Sequence, residues 1–343
     1  MPEESIDHIN FEDLNKKALS KPLVDHMYTA DPSAHIFNGK IYIYPSHDID
    51  AGEAFDDLGS HFAMEDYHVL SMDSIESDAV DNGVALHVKD VLWAKQQMWA
   101  PDANEKNGTY YLFFPAKDYD GIFRIGVATS NSPIGPFKAQ SKAIKGSFSI
   151  DPAVFKDDNE DYYMYFGGLW GGQLQRWRAG VFNKSEPESP TAFIPEADEP
   201  ALLPFVAKMS DDLLEFAEKP KELQIIDENG QLLMSGDTDR RFFEAAWMHK
   251  HKGLYYFSYS TGDTHFICYA IGDNPYGPFT YKGRILNPVV GWTSHHSVCD
   301  VDGKTYLFYH DSSLSKGITH LRSVKVAEIT YRGDGSIVTL NPY

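Results

Sequence analysis

Residues 31–45 read DPSAHIFNGKIYIYP. An Asn-Gly pair at 38–39 divides this stretch into two short runs, the second rich in Ile and Tyr. That is the pattern of two antiparallel strands joined by a tight turn. The pattern returns at Ala100 (APDANEKNGTYYLFF), Asp151 (DPAVFKDDNEDYYMYF), Glu244 (EAAWMHKHKGLYYFSY) and His295 (HHSVCDVDGKTYLFY). Eleven residues after each opening stands a tyrosine: Tyr42, Tyr111, Tyr162, Tyr255 and Tyr306. A polar turn lies between, at Asn38-Gly39, Asn107-Gly108, Asp158-Asn159, Lys252-Gly253 and Asp302-Gly303. Five β-units in one register predict an all-β chain folded as a five-bladed β-propeller. A sandwich or barrel of short strands does not explain the common register. In a propeller, equivalent positions of successive blades converge on the axis. Asp31, Asp151, Glu244 and His295 are therefore expected to face one another there.

A second phrase supports duplicated blades: RIGVATSNSPIGPF at 124–137 returns as FICYAIGDNPYGPF at 266–279. No linker or low-complexity run divides the 343 residues, so a single propeller over 28–343, with an N-terminal arm at 1–27, is the expected organisation. The segment 47–66, rich in Asp, Gly and His, reads as a long loop on the ligand face. From Asp151 to Glu244 the spacing stretches to 93 positions, against 51 from Glu244 to His295. This interval holds GGLWGGQLQRW, expected to wall a pocket, and MSDDLLEFAEKPKEL, whose apolar spacing fits about two turns of helix.

The formal net charge of -20 argues against nucleic acid and against an anionic membrane surface, and suits a neutral ligand. Cys268 and Cys299 lie in apolar β-like segments and read as structural thiols, with no disulfide framework or cysteine-based zinc site. The opening MPEESIDHINFEDLNKK lacks a charged n-region and an apolar h-region, so the expected location is cytoplasmic.

Three carboxylates in one cavity divide their labour. One stays ionised and takes a proton from water, a second keeps its proton and donates it, and a third tunes the others. Hydrolysis of a glycosidic bond needs that division. The phrases TADPSAHIFNGKIYIY, MWAPDANEKNGTYYLFF, SIDPAVFKDDNEDYYMYFGG, FFEAAWMHKHKGLYYFSYS and SHHSVCDVDGKTYLFYH resemble those of glycoside hydrolase family 43, over essentially the whole chain after the arm. The family's members are five-bladed propellers that cleave arabinose- and xylose-containing glycans with inversion.

The resemblance implies Asp31 as general base, Glu244 as general acid and Asp151 as the residue that raises the acid's pKa and orients it. It implies Trp99 and Arg322 in the substrate pocket, with Phe243 and Trp247 flanking the acid, each either lining the pocket or packing between blades. Some members hold a calcium ion at the axis through a blade-five histidine and waters. His295 occupies that place, with His296 as its neighbour; the pair leaves the assignment between the two open, and His296 is otherwise expected at the substrate. No organic cofactor is expected. Ala245 and Ala246 stand where the family often has Gly and Pro, which resembles the β-xylosidase and α-L-arabinofuranosidase branch. Many xylosidases of the family close the pocket with a C-terminal β-sandwich. Here closure is expected from the chain's own loops, its insertion or another subunit, which makes a homo-oligomer an open expectation. The reading is an exo-acting enzyme that releases terminal xylose or arabinofuranose from oligosaccharides. An endo-arabinanase and a non-catalytic sugar-binding propeller are the rivals.

Overall fold

Four of the five turns are built as their sequences require. Both central residues are left-handed at Asn38-Gly39 (φ 52° and 77°), Asn107-Gly108 (54°, 79°), Lys252-Gly253 (50°, 81°) and Asp302-Gly303 (51°, 79°). Positive φ at both positions twists a two-residue turn to match its strands, and glycine adopts it without steric cost. The unit without glycine differs. Lys156 pairs with Tyr162, so the expected turn at Asp158-Asn159 is a five-residue loop, 157–161. Its left-handed residue is Glu160 (φ 66°), and the Asp157 N–H donates to the Asp161 carbonyl at 2.9 Å.

The computed structural model describes residues 8–53, 56–185 and 189–343. Its strands form five sheets. Blade one is Tyr28–Phe37, Lys40–Asp48, Asp66–Met72 and Val80–His87. Blade two has its inner strand in two pieces, Ala94–Gln96 and Asp102–Lys106, both paired with Thr109–Asp118. Blade three begins at Ala153–Lys156, blade four at Glu244–His251 and blade five at His296–Val301. The inner strands contact one another in cyclic order, and His296–Val301 returns to Tyr28–Phe37 to close the ring. The chain is a five-bladed β-propeller.

Five apolar clusters, one between each pair of neighbouring blades, hold the ring together. The repeated tyrosines belong to this packing. Tyr111 and Tyr162 share the cluster between blades two and three, Tyr255 lies between three and four, and Tyr306 between five and one. Burial of such rings is the main favourable term in holding adjacent blades. Both cysteines are free thiols, each pushed up to about 12 by burial.

Residues 209–223 are not helical. Met209 bridges Phe216, and Ser210 donates to Asp212, whose Oδ1 also accepts the Leu214 N–H at 3.2 Å. Side-chain oxygens that satisfy nearby N–H groups favour turns over helix. Leu213 is buried and left-handed (φ 58°). Ahead of the propeller, a helix Phe11–Lys17 is capped by the Asn10 side chain. The Leu19 and Leu23 N–H groups then donate to Pro342 and Val324. Residues 1–7 of the expected arm lie outside the described residues.

Candidate active site

At the axis the inner strands depart from regular geometry. The pairing shifts between Ala30 and Ser33 in blade one and between Glu244 and Trp247 in blade four. Asp31 (φ 49°), Asp151 (57°) and Ala245 (62°) are left-handed. Bulges of this kind re-aim a side chain. Here they accompany three acids brought to one cavity of about 700 Å³. Asp31, Asp151, Glu244, His295, Arg322 and Trp99 all line it.

Asp31 is the most heavily supported of the acids. Its Oδ1 accepts from Arg322 Nη1 at 2.8 Å and its Oδ2 from Ser46 Oγ at 2.7 Å. Its backbone N–H donates to His310 Nδ1 at 3.0 Å. His310 Nε2 therefore carries the proton and faces the Thr293 carbonyl at 3.1 Å. Burial raises the Asp31 pKa, but Arg322, the two histidines and the Ser46 bond outweigh it and bring the pKa down to about 2. Arg322 is itself anchored. Nε and Nη2 grip the Asp48 carboxylate at 2.8 and 2.7 Å, and the guanidinium lies 4.9 Å from the centre of the Phe62 ring.

Asp151 Oδ2 accepts the Ala245 N–H at 2.8 Å, which ties it to the residue after Glu244. Burial first, and then the charge of Glu244, push Asp151 well above the usual carboxylate range. Glu244 reaches about 8, through burial and then the charge of Asp31. His295 Nδ1 lies 3.7 Å from Asp31 Oδ1 and 3.9 Å from Asp151 Oδ2, too far for a hydrogen bond. Burial lowers its pKa to about 4, leaving a neutral imidazole between two carboxylates.

The wall is aromatic. Trp99 donates from Nε1 to the Phe62 carbonyl at 2.8 Å, and Gly59 and Gly171 press on its ring. Trp170 and Trp292 have ring centres 5.3 Å apart, and each stands within 6 Å of Phe243. A Cβ on Gly171 would meet the Leu58 carbonyl at 2.5 Å, so glycine lets the insertion approach the 47–66 loop.

Two expected contacts do not reach the cavity. Trp247 packs between blades four and five and donates from Nε1 to the Val298 carbonyl at 3.2 Å. It follows the pairing shift that aims Glu244 at the axis, and it faces the neighbouring blade. His296 opens a regular strand and points opposite to His295, buried against Ser258 Oγ at 2.6 Å. Conversely, His310 and Trp292 were not expected at the site, and Asp48, Phe62 and Trp170 were expected only through their segments, 47–66 and 167–177. The signals were the Asp/Gly/His richness of the first segment and, for the second, the Trp between glycine pairs in the lengthened interval.

One His/Asp group with metal-ligand spacing occurs among the described residues. It is His47, Asp66 and His68, in blade one rather than at the axis.

A propeller whose axial cavity sets an ionised acid against a protonated one, inside aromatic walls, is built as a glycosidase. The chain belongs to glycoside hydrolase family 43. Residues 79–191 match the family model described as Glycosyl hydrolases family 43. A "Xylosidase/arabinosidase" of Bacteroides ovatus is 55% identical across 94% of this chain and 98% of its own length. "Xylosidase/arabinosidase 43A" of Humicola insolens is 57% identical across 94% and 99%. Among solved structures, the GH43 beta-xylosidase/alpha-arabinofuranosidase CoXyl43 from a compost microbial metagenome, a xylotriose complex in calcium-free form, is 63% identical. It superposes with a TM-score of 0.92 over 95% of this chain and 98% of its own.

Proposed function

We propose that this glycosidase releases terminal xylose, and terminal arabinofuranose in the same pocket, from short plant-glycan oligosaccharides by single displacement. The observation that carries the reading is the opposite charge state of two acids in one cavity, with Asp31 brought to about 2 and Glu244 to about 8. At neutral pH Asp31 is a carboxylate, able to take a proton from water, and Glu244 holds the proton that the leaving oxygen needs. After burial, the charge of Glu244 is what raises Asp151. The Ala245 N–H on Asp151 favours the charged form there and offsets part of that rise. Arg322 keeps Asp31 ionised and also presents Nη1 beside Thr293 Oγ1 at 3.1 Å. Inversion requires the two carboxyls to stand about 6.5–9.5 Å apart in the complex, with water on one side of the sugar and leaving group on the other.

Trp99 offers an aromatic face to the apolar side of a pyranose or furanose ring. The Trp170, Trp292 and Phe243 wall closes one side of the cavity, which favours a chain end over a polymer threaded through a cleft. His295 suits a divalent ion at the axis, because it is neutral and makes no hydrogen bond across its 3.7 and 3.9 Å gaps to Asp31 and Asp151. When bound, calcium would add positive charge that favours ionised carboxylates. Asp31 and Glu244 carry the proton transfers.

The test is a panel of p-nitrophenyl β-D-xylopyranoside, p-nitrophenyl α-L-arabinofuranoside, xylobiose and linear arabinan, with the product anomer followed by NMR. Release of the inverted monosaccharide from the first three is expected. Cleavage of arabinan alone would make the enzyme an endo-arabinanase. Binding without turnover would make it a lectin, and a retained anomer would reject the base role of Asp31.

A further inference from the structure

Outside the axial cavity, blade one carries a second concentration of histidine and aspartate that hydrolysis does not use. His47 lies near the end of the strand Lys40–Asp48, and Asp66 and His68 lie at the start of the neighbouring strand Asp66–Met72. One ligand atom from each falls within 4.8 Å of the others. The His47 and His68 ring centres are 4.6 Å apart, and His47 Nδ1 is 2.6 Å from Asp66 Oδ1. The group is open enough for an ion to enter, with side-chain exposures of 22%, 16% and 14% for His47, Asp66 and His68.

We propose that His47, Asp66 and His68 form a binding site for a divalent transition metal of the zinc type, separate from the sugar pocket. Two imidazoles and one carboxylate are the donor set of zinc and its neighbours, whereas calcium prefers oxygen ligands throughout. A second layer supports the ligands. His68 Nδ1 is 2.9 Å from Asp81 Oδ1, an oxygen that also accepts the Gly83 N–H at 2.8 Å. A carboxylate in that position fixes the proton on Nδ1 and leaves Nε2 with its lone pair, the usual support of a metal-bound histidine. His87 is the register partner of Asp66 across the sheet and provides a further imidazole beside it. His26 Nε2 reaches the other oxygen of Asp81 at 3.5 Å. Three ligands leave a position for water.

The site lies next in sequence to Asp48, whose carboxylate grips Arg322. An ion there ties together two strand ends on either side of the loop that lines the sugar pocket. The proposal does not depend on the substrate reading and has its own readouts.

The experiment uses tag-free full chain carrying His295→Ala, which removes the axial imidazole. Zn²⁺ titrated by calorimetry is expected to bind at one ion per chain and to raise Tm, with excess Ca²⁺ failing to displace it. Co²⁺ should give the visible spectrum of a nitrogen/oxygen site. Asp81→Asn is expected to weaken Zn²⁺ binding about 10–100-fold. His47→Gln and His68→Gln should abolish it while circular dichroism persists. Diethylpyrocarbonate labelling read by mass spectrometry needs no ligand variant, and Zn²⁺ should protect His47 and His68. Absence of saturable Zn²⁺ binding, protection confined to other histidines, or unchanged affinity in both ligand variants would each overturn the proposal.

Discussion

Arg322 links the fold to the chemistry, and its removal has a calculable effect. In the double variant Arg322→Met/Asp48→Asn one buried positive and one buried negative charge disappear together. Taking out both partners of a buried pair is often close to neutral for stability, whereas Arg322→Met alone strands Asp48 and is expected to cost about 3–5 kcal/mol. Asp31 then loses the largest of the interactions that hold it at about 2. Burial remains and acts upward, so its pKa is expected to return at least to the ordinary 3.8. That is roughly 2.5 kcal/mol of lost preference for the carboxylate, at about 1.36 kcal/mol per pH unit. Catalysis needs Asp31 ionised, so activity falls as pH drops through its pKa. The acid limb of kcat/KM on p-nitrophenyl xyloside, followed from about pH 2 to about pH 9, should climb by about 1.8 pH units or more. A folded double variant whose acid limb has not moved would refute the role given to Arg322.

Glu244 must be protonated to act, so kcat/KM should fall as pH rises past about 8, and Glu244→Gln should remove that limb. The same variant should lose about 10²–10⁴-fold on xylobiose and much less on a good aryl leaving group, whereas Asp31→Asn should be severe on both. Trp247→Ala should destabilise by about 3–5 kcal/mol in chemical denaturation with KM for the xyloside unchanged, because the ring packs between blades. Exhaustive chelation should lower activity or Tm, Ca²⁺ should restore it, and His295→Ala should abolish the restoration. Unchanged behaviour in chelator would dismiss an axial ion without touching the acid–base mechanism.

The blades were legible because β-structure with one buried face imposes a period, and each unit repeats it with a turn that only certain residue pairs make. Asp31, Asp151 and Glu244 were legible as a group because the repeat converts sequence register into spatial convergence. The limit appears one or two residues away. His295 and His296 are adjacent, and alternation along the chain sends one to the axis and the other to Ser258. Which of its two expected places Trp247 takes was not legible, because the pairing shift after Glu244 changes which face follows, and an irregularity of that size leaves no mark in residue type. Phe62 and Trp292 lie in loops outside the repeat, where no period predicts position. The run 209–223 has apolar spacing compatible with helix, but Ser210 and Asp212 bind their own backbone and make a turn.

The first and fifth blades meet through docking. The Thr29 N–H donates to the Arg322 carbonyl at 2.9 Å, and the Leu23 N–H to Val324 at 2.8 Å. The Arg322 side chain crosses the same boundary to Asp48 and Asp31. The joint that completes the circle thus also sets the charge of the general base. Loosening of this joint by heat or force would silence the enzyme while the other four interblade cores still hold their strands. Turnover is in this sense a gauge of ring integrity, and mutations far from the sugar that slacken this boundary should surface first as acid-sensitive activity and only later as lost fold.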